Sequence, residues 1–366
     1  MEGFRELTIA DLRRETDDSV SVSFVIPKGE RDAFDFLPGQ YLTLRAKING
    51  QDVRRCYSIC SGVNDGEIRI AVKRVEGGAF SCFANDDLRP GSTLQVLPPD
   101  GRFFVFLDAR RAHTYVAFAG GSGITPILAM VKSVLEVEPL SRFTLVYGNR
   151  DSVSIMFREA LEDLKNRFTN RLSVLHVFSR ELQDVELMNG RIDAVKCGVI
   201  LRSIINSQEL DGIFLCGPAG MTAEVRRSLS DHGVADERVH SERFTLSPES
   251  PTTGTEAKRV RWASQKERSG NAMGSEVTVI LDGTRTTLWL DRYGDSVLDA
   301  VNRLRPDVPY ACKGGMCCTC RAHVVEGEVE MDINYTLTPA ELNQGFVLTC
   351  QAHPVTDRVV LDYDAR

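Results

Sequence analysis

The feature that most constrains this chain is a group of cysteines near its C-terminal end. Within ACKGGMCCTC, Cys312, Cys317 and Cys320 have the spacing C-x4-C-x2-C, and Cys350 follows in FVLTCQAH, 30 positions after Cys320. This spacing is typical of four thiolates that hold a plant-type [2Fe-2S] cluster. The cysteines therefore predict a small domain built around an iron-sulfur cluster.

Glycines in the cysteine loop support this interpretation. Gly314 and Gly315 let backbone N–H groups approach the sulfurs, which larger side chains would prevent. A zinc knot is the alternative, but zinc sites usually present two close pairs, whereas this loop joins one close pair to two single cysteines. Cys318 is out of register and is interpreted as a non-ligand. The other isolated cysteines are expected to be small buried hydrophobic residues, namely Cys56, Cys60, Cys82 and Cys197.

The cysteine content also bears on location. The N-terminal stretch MEGFRELTIADLRRETDD is charged and lacks an apolar signal sequence, and no segment reaches the roughly 18 apolar residues of a membrane span. We therefore expect a cytoplasmic protein without membrane attachment, whose ten cysteines are thiols or metal ligands in a reducing environment.

Acidic residues are concentrated in the same part of the chain as the cysteine loop. The formal net charge is -7, and residues 276–366 carry 8 Lys and Arg against 14 Asp and Glu, a net charge of -6. A nucleic-acid-binding surface would be basic, so nucleic acid is excluded as a partner. The acidic region suggests docking to a basic patch of another protein, although a merely solvated acidic face explains the charge equally well.

Periodicity divides the chain into three folded regions and a linker. Residues 1–107 alternate apolar and polar positions between turns, which predicts an antiparallel β-barrel or sandwich. Residues 108–246 repeat strand-then-helix units, which predicts a parallel sheet with helices on both faces. Residues 247–274, rich in Ser, Pro, Thr, Gly and charge, predict a flexible linker. Residues 275–366 predict a hairpin around DGT, a short helix, the cysteine loop and, in RAHVVEGEVE, another strand pair.

A flavin is implied by the number of electrons transferred. A [2Fe-2S] cluster accepts one electron, whereas a nicotinamide delivers two as a hydride, and a flavin connects the two processes. In RRCYSIC and VKRVEGGAFS, an arginine can clamp a pyrophosphate, a tyrosine and a serine can reach the flavin ring, and the Gly77–Gly78 turn can offer N–H groups to phosphate. Ordinary barrel-strand residues are the alternative. The candidate FAD-binding residues are Arg55, Tyr57, Ser58, Val72, Gly78 and Ser81.

A nicotinamide site is predicted at the carboxyl ends of the strands in residues 108–246. AFAGGSGITP follows the first strand and opens a helix, so its glycines allow a pyrophosphate to approach a helix N-terminus, with Thr125 as N-cap and Pro126 at N1. A plain tight turn is the alternative. FLCGPAGM ends a later strand, where Cys216 either touches the nicotinamide or is simply core. The candidate residues are Gly121, Gly123, Thr125, Cys216, Gly217 and Pro218.

The second strand of this region bears on the choice between NADPH and NADH. It is followed by YGNRDSVSIMFR, in which Arg150 and Arg158 can clamp a 2′-phosphate, and no acidic residue ends the strand to hold a ribose diol. Asp151, one residue later, weakens the argument, and solvated arginines at a helix start are the alternative interpretation. We expect NADPH as the coenzyme, with NADH as the alternative.

The order of these motifs, RxYS, GGxxS, GGSGITP, CGP and the cysteine loop, resembles that of the ferredoxin-reductase-like reductases of oxygenases. The similarity covers nearly the whole chain outside the linker, in stretches such as GSGITP, YGNR, GRID, ERF, PYACKGG and GFVLTCQA. The resemblance implies an FAD-binding β-barrel, an NAD(P)-binding α/β domain and an α+β β-grasp [2Fe-2S] ferredoxin domain.

The resemblance also implies an NAD(P)H-dependent electron-transfer reductase that supplies a separate di-iron oxygenase. Ser58 matches the residue expected near flavin N5, Cys216 the nicotinamide wall, and Glu242 and Phe244 the segment that returns near the flavin. Because hydride transfer needs no acid or base, these four residues are catalytic in the sense of positioning. Cys318 departs from the family, whose loops often carry a small residue there.

Two other functions stay open on the sequence alone. The first is the same chemistry for a different acceptor, such as a steroid or alkyl hydroxylase or a hybrid-cluster protein. The second is a redox-sensing, ferredoxin-like module with vestigial nucleotide sites. Flavin absorbance that bleaches on addition of NAD(P)H would separate an active reductase from such a module.

Overall fold

The computed structural model describes residues 3–206, 209–244 and 274–365. These ranges fall into two units, residues 3–244 and residues 274–365. Within the described ranges, no helix is both long and apolar enough to span a membrane. The predicted linker lies outside the described residues except for its last residue, Gly274, which begins a strand of the second unit.

The alternating N-terminal sequence forms an antiparallel barrel. Its strands are β1 (Arg5–Thr16), β2 (Ser19–Val25), β3 (Tyr41–Ile48), β4 (Gln51–Ser58), β5 (Ile68–Lys73) and β6 (Thr93–Val96), and helix α1 (Ala79–Asp86) follows β5. The strand order is β4-β3-β6-β1-β2-β5, and a bridge between Ile59 and Ile70 closes the sheet. Inward-facing side chains such as Leu42 and Val72 form one buried core.

The middle of the chain forms the predicted parallel sheet. Its strands are β7 (Thr114–Gly120), β8 (Arg142–Asn149), β9 (Leu172–Phe178), β10 (Gly212–Cys216) and β11 (Val239–Glu242). Its helices are α2 (Ile124–Val137), α3 (Arg158–Arg167), α4 (Ala194–Ser203) and α5 (Ala219–Asp231). The order β11-β10-β7-β8-β9 brings every carboxyl end to one edge of the sheet. Alternate residues pack on opposite faces, for example Val146 on one and Tyr147 on the other.

Helix α2 starts two residues earlier than the sequence predicts. Its N-cap is Gly123, so Thr125 is not the N-cap and Pro126 lies inside the first turn. A 3-10 turn at Gly121–Gly123 runs directly into the helix and takes the capping position. The Thr125 hydroxyl instead donates to the carbonyl of Ser122 at 3.1 Å.

The second unit combines a mixed sheet with two short helices. The strands are β12 (Gly274–Leu281), β13 (Thr284–Asp291), β14 (Arg321–Glu326), β15 (Val329–Met331), β16 (Phe346–Leu348), β17 (Ala352–Pro354) and β18 (Arg358–Asp362), with helices α6 (Val297–Asn302) and α7 (Pro339–Asn343). One sheet has the order β13-β12-β18-β14-β16, in which only β12 and β18 are parallel, and β15 pairs with β17. Asp282 and Gly283, both with positive φ, form the tight turn predicted at DGT.

The strand pair predicted in RAHVVEGEVE is wrong in its pairing. Both strands exist, but β14 pairs with β16 and β18, whereas β15 leaves the sheet to pair with β17. Gly327 between them has a φ of 79°, and a Cβ there would collide with the carbonyl oxygen of Arg358. At this glycine the chain makes a tight turn in contact with β18, and this turn directs β14 and β15 into different sheets.

Candidate functional site

The four predicted cluster ligands converge as two pairs. The Cys312 thiol contacts Cys317, and the Cys320 thiol contacts Cys350. Contact with Cys317, together with burial, raises the pKa of Cys312, and contact with Cys350, together with burial, raises the pKa of Cys320. Crowded thiols of this kind become stable thiolates when positive metal ions bind them.

Backbone N–H groups point at these sulfurs. The N–H of Gly314 donates to Cys312 Sγ at 3.3 Å. The pKa of Cys350 is lowered by a hydrogen bond from Cys320 and, to a smaller extent, by the N–H of Gly315. Gly315 has a φ of 73°, and a Cβ there would lie 3.0 Å from the carbonyl oxygen of Ile333. Glycine thus permits both the turn and the close approach of N–H groups to sulfur.

Two pairs of thiols suit a cluster with two irons, because each iron then receives two protein thiolates. Across the described ranges, no three Cys, His, Asp or Glu side chains converge on one point suited to a single metal ion. The sulfurs also receive N–H donors, which stabilise a thiolate-ligated cluster. The geometry therefore fits a [2Fe-2S] cluster better than a single zinc ion.

The remaining cysteines differ in burial. All ten cysteines lie in the described residues and none of them forms a disulfide. Cys60 and Cys197 are buried as the sequence predicts, but Cys56 and Cys82 are only half-buried, so that expectation is wrong for these two. Their thiols stay near polar groups, since Cys56 Sγ lies 3.6 Å from the Thr43 hydroxyl and Cys82 donates to a backbone carbonyl.

Cys318 occupies a backbone conformation that favours glycine. Its φ is 57°, and its thiol lies 3.2 Å from the Thr336 hydroxyl rather than in either cysteine pair. A side chain in the left-handed region is strained by about 1–2 kcal/mol relative to glycine.

We expect Cys318→Gly to be more stable than Cys318→Ala by about 1 kcal/mol, because only glycine relieves the left-handed strain. Both variants lack the thiol, so the comparison isolates the backbone. Urea unfolding of the two cluster-loaded proteins measures the difference, and both should keep the cluster absorbance of the parent. An alanine variant as stable as the glycine variant would show that the strain is absent.

The predicted flavin residues lie on β4, on β5 and at the start of α1. Arg55 is exposed on β4 and donates to the carbonyl of Arg54, while the Tyr57 ring lies 5.4 Å from that of Phe80. Val72 is fully buried in the barrel core, so only its backbone can face a ligand. Burial raises the pKa of Tyr57 well above its usual range, which keeps the phenol neutral.

The GGxxS motif shapes the N-terminus of helix α1. Gly77 has a φ of 70° with open space where a Cβ would lie, and Gly78 is the N-cap. Among the described residues, no side chain caps this helix, so its first N–H groups are available to a phosphate. Ser81 does not face outward, because its hydroxyl accepts from the N–H of Val75 at 3.0 Å and holds the turn together. This cradle fits the pyrophosphate of a flavin dinucleotide.

Two glycine-rich loops meet at the carboxyl ends of β7 and β10. A Cβ on Gly123 would collide with the Cys216 carbonyl oxygen, and one on Gly217 would lie 2.9 Å from the Gly120 nitrogen. A Cβ on Gly120 would lie 2.7 Å from the Pro218 ring. By contrast, Gly121 has a φ of 53° and open space beside it. The loops therefore pack tightly against each other while Gly121 faces a space that fits a nucleotide phosphate.

Ser58, Cys216 and Glu242 come together from three strands. The Ser58 hydroxyl on β4 donates to Glu242 Oε2 at 3.4 Å, and Cys216 and Glu242 are register partners at the ends of β10 and β11. Ser58 and Cys216 are buried and Glu242 is half-buried. Burial raises the pKa of Glu242 to about 8, and it raises the pKa of Cys216 with help from the Glu242 charge. Phe244, by contrast, is exposed and lies two residues beyond β11.

The arginines expected at a 2′-phosphate are both paired with carboxylates. Arg150 forms an ion pair with Asp18 of the barrel at 3.2 Å, and Arg158 pairs with Glu162 one helical turn away at 2.9 Å. The sequence interpretation missed a third arginine, Arg180, which follows β9. Its N–H donates to the Arg150 carbonyl at 2.8 Å, and both side chains are exposed. Arg180 could have been found from the sequence, because it comes just after the third strand of the predicted parallel sheet, where such sheets bind ligands.

Three known domain families match successive parts of the chain. Residues 6–105 match the oxidoreductase FAD-binding domain, residues 118–227 the oxidoreductase NAD-binding domain, and residues 279–355 the 2Fe-2S iron-sulfur cluster binding domain. The predicted three-domain architecture is thereby confirmed, and the third match contains all four predicted cluster ligands.

The chain is similar over nearly its whole length to components of known oxygenase systems. It is 45% identical to a subunit of the 1,2-phenylacetyl-CoA epoxidase of Escherichia coli K12, over 100% of this chain and 99% of that protein. It is 34% identical to the ferredoxin reductase component of 3-ketosteroid-9-alpha-monooxygenase of Rhodococcus rhodochrous, over 98% and 96%. The structure of phthalate dioxygenase reductase shares the fold, with a TM-score of 0.59, 23% identity, and coverage of 99% of this chain and 98% of that one.

Proposed function

This chain belongs to the reductase components of oxygenases, which combine FAD-, NAD- and [2Fe-2S]-binding domains. From that membership we propose that it supplies electrons to the di-iron oxygenase of a phenylacetyl-CoA epoxidase. One observation carries the choice of acceptor. The full-length identity to the epoxidase protein, 45%, is greater than the 34% to the steroid monooxygenase component. A reductase of phenylacetate degradation is the function this supports best.

The protein is an NAD(P)H-dependent oxidoreductase that acts as an electron-transfer component. When bound, FAD converts the hydride of the nicotinamide into single electrons and the cluster carries them onward. The chain's own residues bind and orient these groups. We assign Arg55 and the first turn of α1 to the flavin pyrophosphate, and the Gly121–Gly123 loop to the nucleotide pyrophosphate.

We assign Ser58, Cys216 and Glu242 to the place where the nicotinamide and flavin rings meet. They stand at the junction of the barrel and the carboxyl edge of the parallel sheet, where such sheets bind ligands. Ser58 and Cys216 are buried and would help to keep water away from the two rings, and the serine hydroxyl would offer a polar contact to a ring nitrogen. Phe244 is assigned to the same segment on family resemblance, and its exposure leaves it free to cover a ring.

Reconstitution with purified oxygenases tests the acceptor. NADPH-driven oxygen consumption and product formation should depend on both this protein and the oxygenase of phenylacetyl-CoA epoxidase, with phenylacetyl-CoA as substrate. A steroid hydroxylase oxygenase in the same assay should turn over far more slowly. If NADPH reduces the flavin and cluster but the epoxidase does not turn over, the acceptor is wrong and the reductase role stands. If neither NADPH nor NADH bleaches a flavin band, a redox-sensing module becomes the better description.

The proposed coenzyme is NADPH. Surface ion pairs such as Arg150–Asp18 are worth only about 0–1 kcal/mol, so a phosphate can compete for the arginine. Arg180, whose backbone N–H bonds to the Arg150 carbonyl, adds a second exposed arginine just beyond the ends of β8 and β9. Asp151 could argue for NADH by binding a ribose diol, but its carboxylate is already engaged. It accepts a hydrogen bond from the Ser154 N–H at 3.0 Å and caps a turn.

We expect Arg150→Ala and Arg180→Ala each to lower kcat/KM for NADPH about tenfold or more while kcat/KM for NADH changes little. The reason is that each arginine loses a charge-assisted hydrogen bond to the 2′-phosphate, which NADH lacks. Cytochrome c reduction with both coenzymes measures this. Arg167→Ala is the matched control, since Arg167 is an exposed arginine at the end of α3 that pairs with Glu136. A parent protein that prefers NADH would overturn the proposal.

A further inference from the structure

A side-chain amide next to the second cysteine pair makes two hydrogen bonds within the cluster-binding segments. Gln351 Nε2 donates to the carbonyl of Lys313 at 3.0 Å and to Cys350 Sγ at 3.6 Å. A primary amide has two N–H groups, so both are used. Gln351 thereby bridges the loop that carries Cys312 and Cys317 to the segment that carries Cys350.

The loop needs support at the point where Gln351 holds it. Lys313 has a φ of 51°, which is unfavourable for a residue with a side chain. Gln351 holds its carbonyl, and Asp299 holds its ammonium group at 2.7 Å. The stem of Gln351 also covers Gly315, where a Cβ would lie 3.4 Å from Gln351 Cγ.

The backbone of Gln351 is fixed as well. Its N–H donates to the Leu348 carbonyl, and its carbonyl accepts from the N–H of Asp332, both at 2.9 Å. A side chain anchored at its backbone, its stem and its amide has little freedom to leave the sulfur. The donor to Cys350 is therefore a fixed part of the site.

Hydrogen bonds to ligand sulfurs set the reduction potential of iron-sulfur clusters. The donors from Gly314 and Gly315 belong to the backbone, but the donor from Gln351 belongs to a side chain and can be exchanged. We propose that Gln351 is a positioning residue that raises the reduction potential of the cluster by donating to Cys350 and by joining the two cysteine pairs. The inference rests on the proposed assignment of the four cysteines as ligands.

The physical effect has a definite sign. An N–H directed at a thiolate withdraws negative charge, so it favours the reduced cluster, which holds one more electron. A higher potential increases the fraction of electrons that reside on the cluster rather than on its donor. For a one-electron carrier, a tenfold change in that ratio corresponds to about 59 mV.

The test compares variants by EPR-monitored redox titration of the cluster-loaded protein. Gln351→Leu keeps the volume and removes both donors, and Gln351→Glu keeps the shape but replaces the donors by a carboxylate. Both midpoint potentials should become more negative, the Glu variant by more, and the g-values should shift. Gln344→Leu is the matched control, because Gln344 is an exposed glutamine of the same unit whose backbone N–H donates to the Ala340 carbonyl and whose carbonyl lies 2.8 Å from His323 Nε2. Its potential should equal that of the parent.

Unchanged potentials in fully loaded Gln351 variants would overturn the inference and leave the ligand assignment intact. A parent protein without a cluster would instead overturn the ligand assignment. If the variants fail to load, the parent still provides a test. Labelling glutamine side chains with ¹⁵N should produce a ¹⁵N hyperfine coupling in pulsed EPR of the reduced cluster, and its absence would show that no side-chain amide contacts a ligand sulfur.

Discussion

Replacing any one of the four ligand cysteines by Ala is expected to abolish the visible absorbance and the reduced-state EPR signal of the cluster. Under the proposed assignment, each iron would be held by one thiol pair, Cys312 with Cys317 or Cys320 with Cys350, so one missing thiol would leave an iron incompletely bound. Flavin should stay bound, because the FAD-binding residues belong to the other unit. Electron delivery to the oxygenase should fall to background, while ferricyanide reduction, which can draw on the flavin, continues.

Cys318→Ala is the control for these four substitutions. It removes a thiol from the same loop but from neither pair, so the cluster absorbance, EPR signal and electron delivery should match the parent. Absorbance spectra, EPR of the dithionite-reduced proteins, and iron and sulfide analysis measure the outcome. A cluster lost in Cys318→Ala and retained in Cys317→Ala would refute the assignment of ligands.

Ser58→Ala is expected to slow flavin reduction by NADPH about 10²-fold, the typical loss when reacting groups are misplaced by about 1 Å. The hydroxyl is buried, so water cannot take its place, and its removal also leaves Glu242 without its serine partner. Stopped-flow absorbance under anaerobic conditions measures the rate. Ser61→Ala is the control, since Ser61 is a buried serine of the same barrel whose hydroxyl accepts from the Arg69 N–H. Equal rates in the Ser58 variant and the parent would remove Ser58 from the site.

The same reaction should depend on pH through Glu242. Because burial raises the pKa of Glu242 to about 8, the carboxyl group is neutral below that pH and negatively charged above it. A negative charge beside the ring that accepts a hydride opposes the arrival of more negative charge. The rate of flavin reduction should therefore fall as the pH rises through about 8, and Glu242→Gln should flatten that profile. A Gln variant with the parent's pH profile would assign the titration to another group.

Sequence patterns predicted the structural features that are determined by residues adjacent in the chain. The cysteine spacing, the glycine turns and the alternation of strand and helix each describe a few adjacent residues, and the elements they predict are present, although helix α2 begins two residues earlier than expected. Cys350 was predicted as the fourth thiolate only from its place after the loop in the plant-type cysteine pattern, and it lies two residues beyond β16.

Contacts between distant residues could not be predicted in the same way. Ser58 and Glu242 are 184 positions apart, and no local pattern at either residue indicates the other; only the family resemblance placed both near the flavin. The division of β14 and β15 between two sheets depends on partners in β16, β17 and β18 that compete for the same edges. The amide of Gln351 follows Cys350 directly, yet its direction toward Lys313 is set by the fold of the loop opposite.

A cluster held by Cys312, Cys317, Cys320 and Cys350 would also act as a cross-link. From Cys312 to Cys350 it encloses roughly 40 residues, and a cross-link around a loop of that length lowers the free energy of folding by about 4 kcal/mol through the entropy of the unfolded chain. Strands β14, β15 and β16 lie inside this loop. Loss of the cluster would then loosen the fold as well as end electron delivery to the oxygenase, so we expect a protease to cleave cluster-free protein faster than cluster-loaded protein.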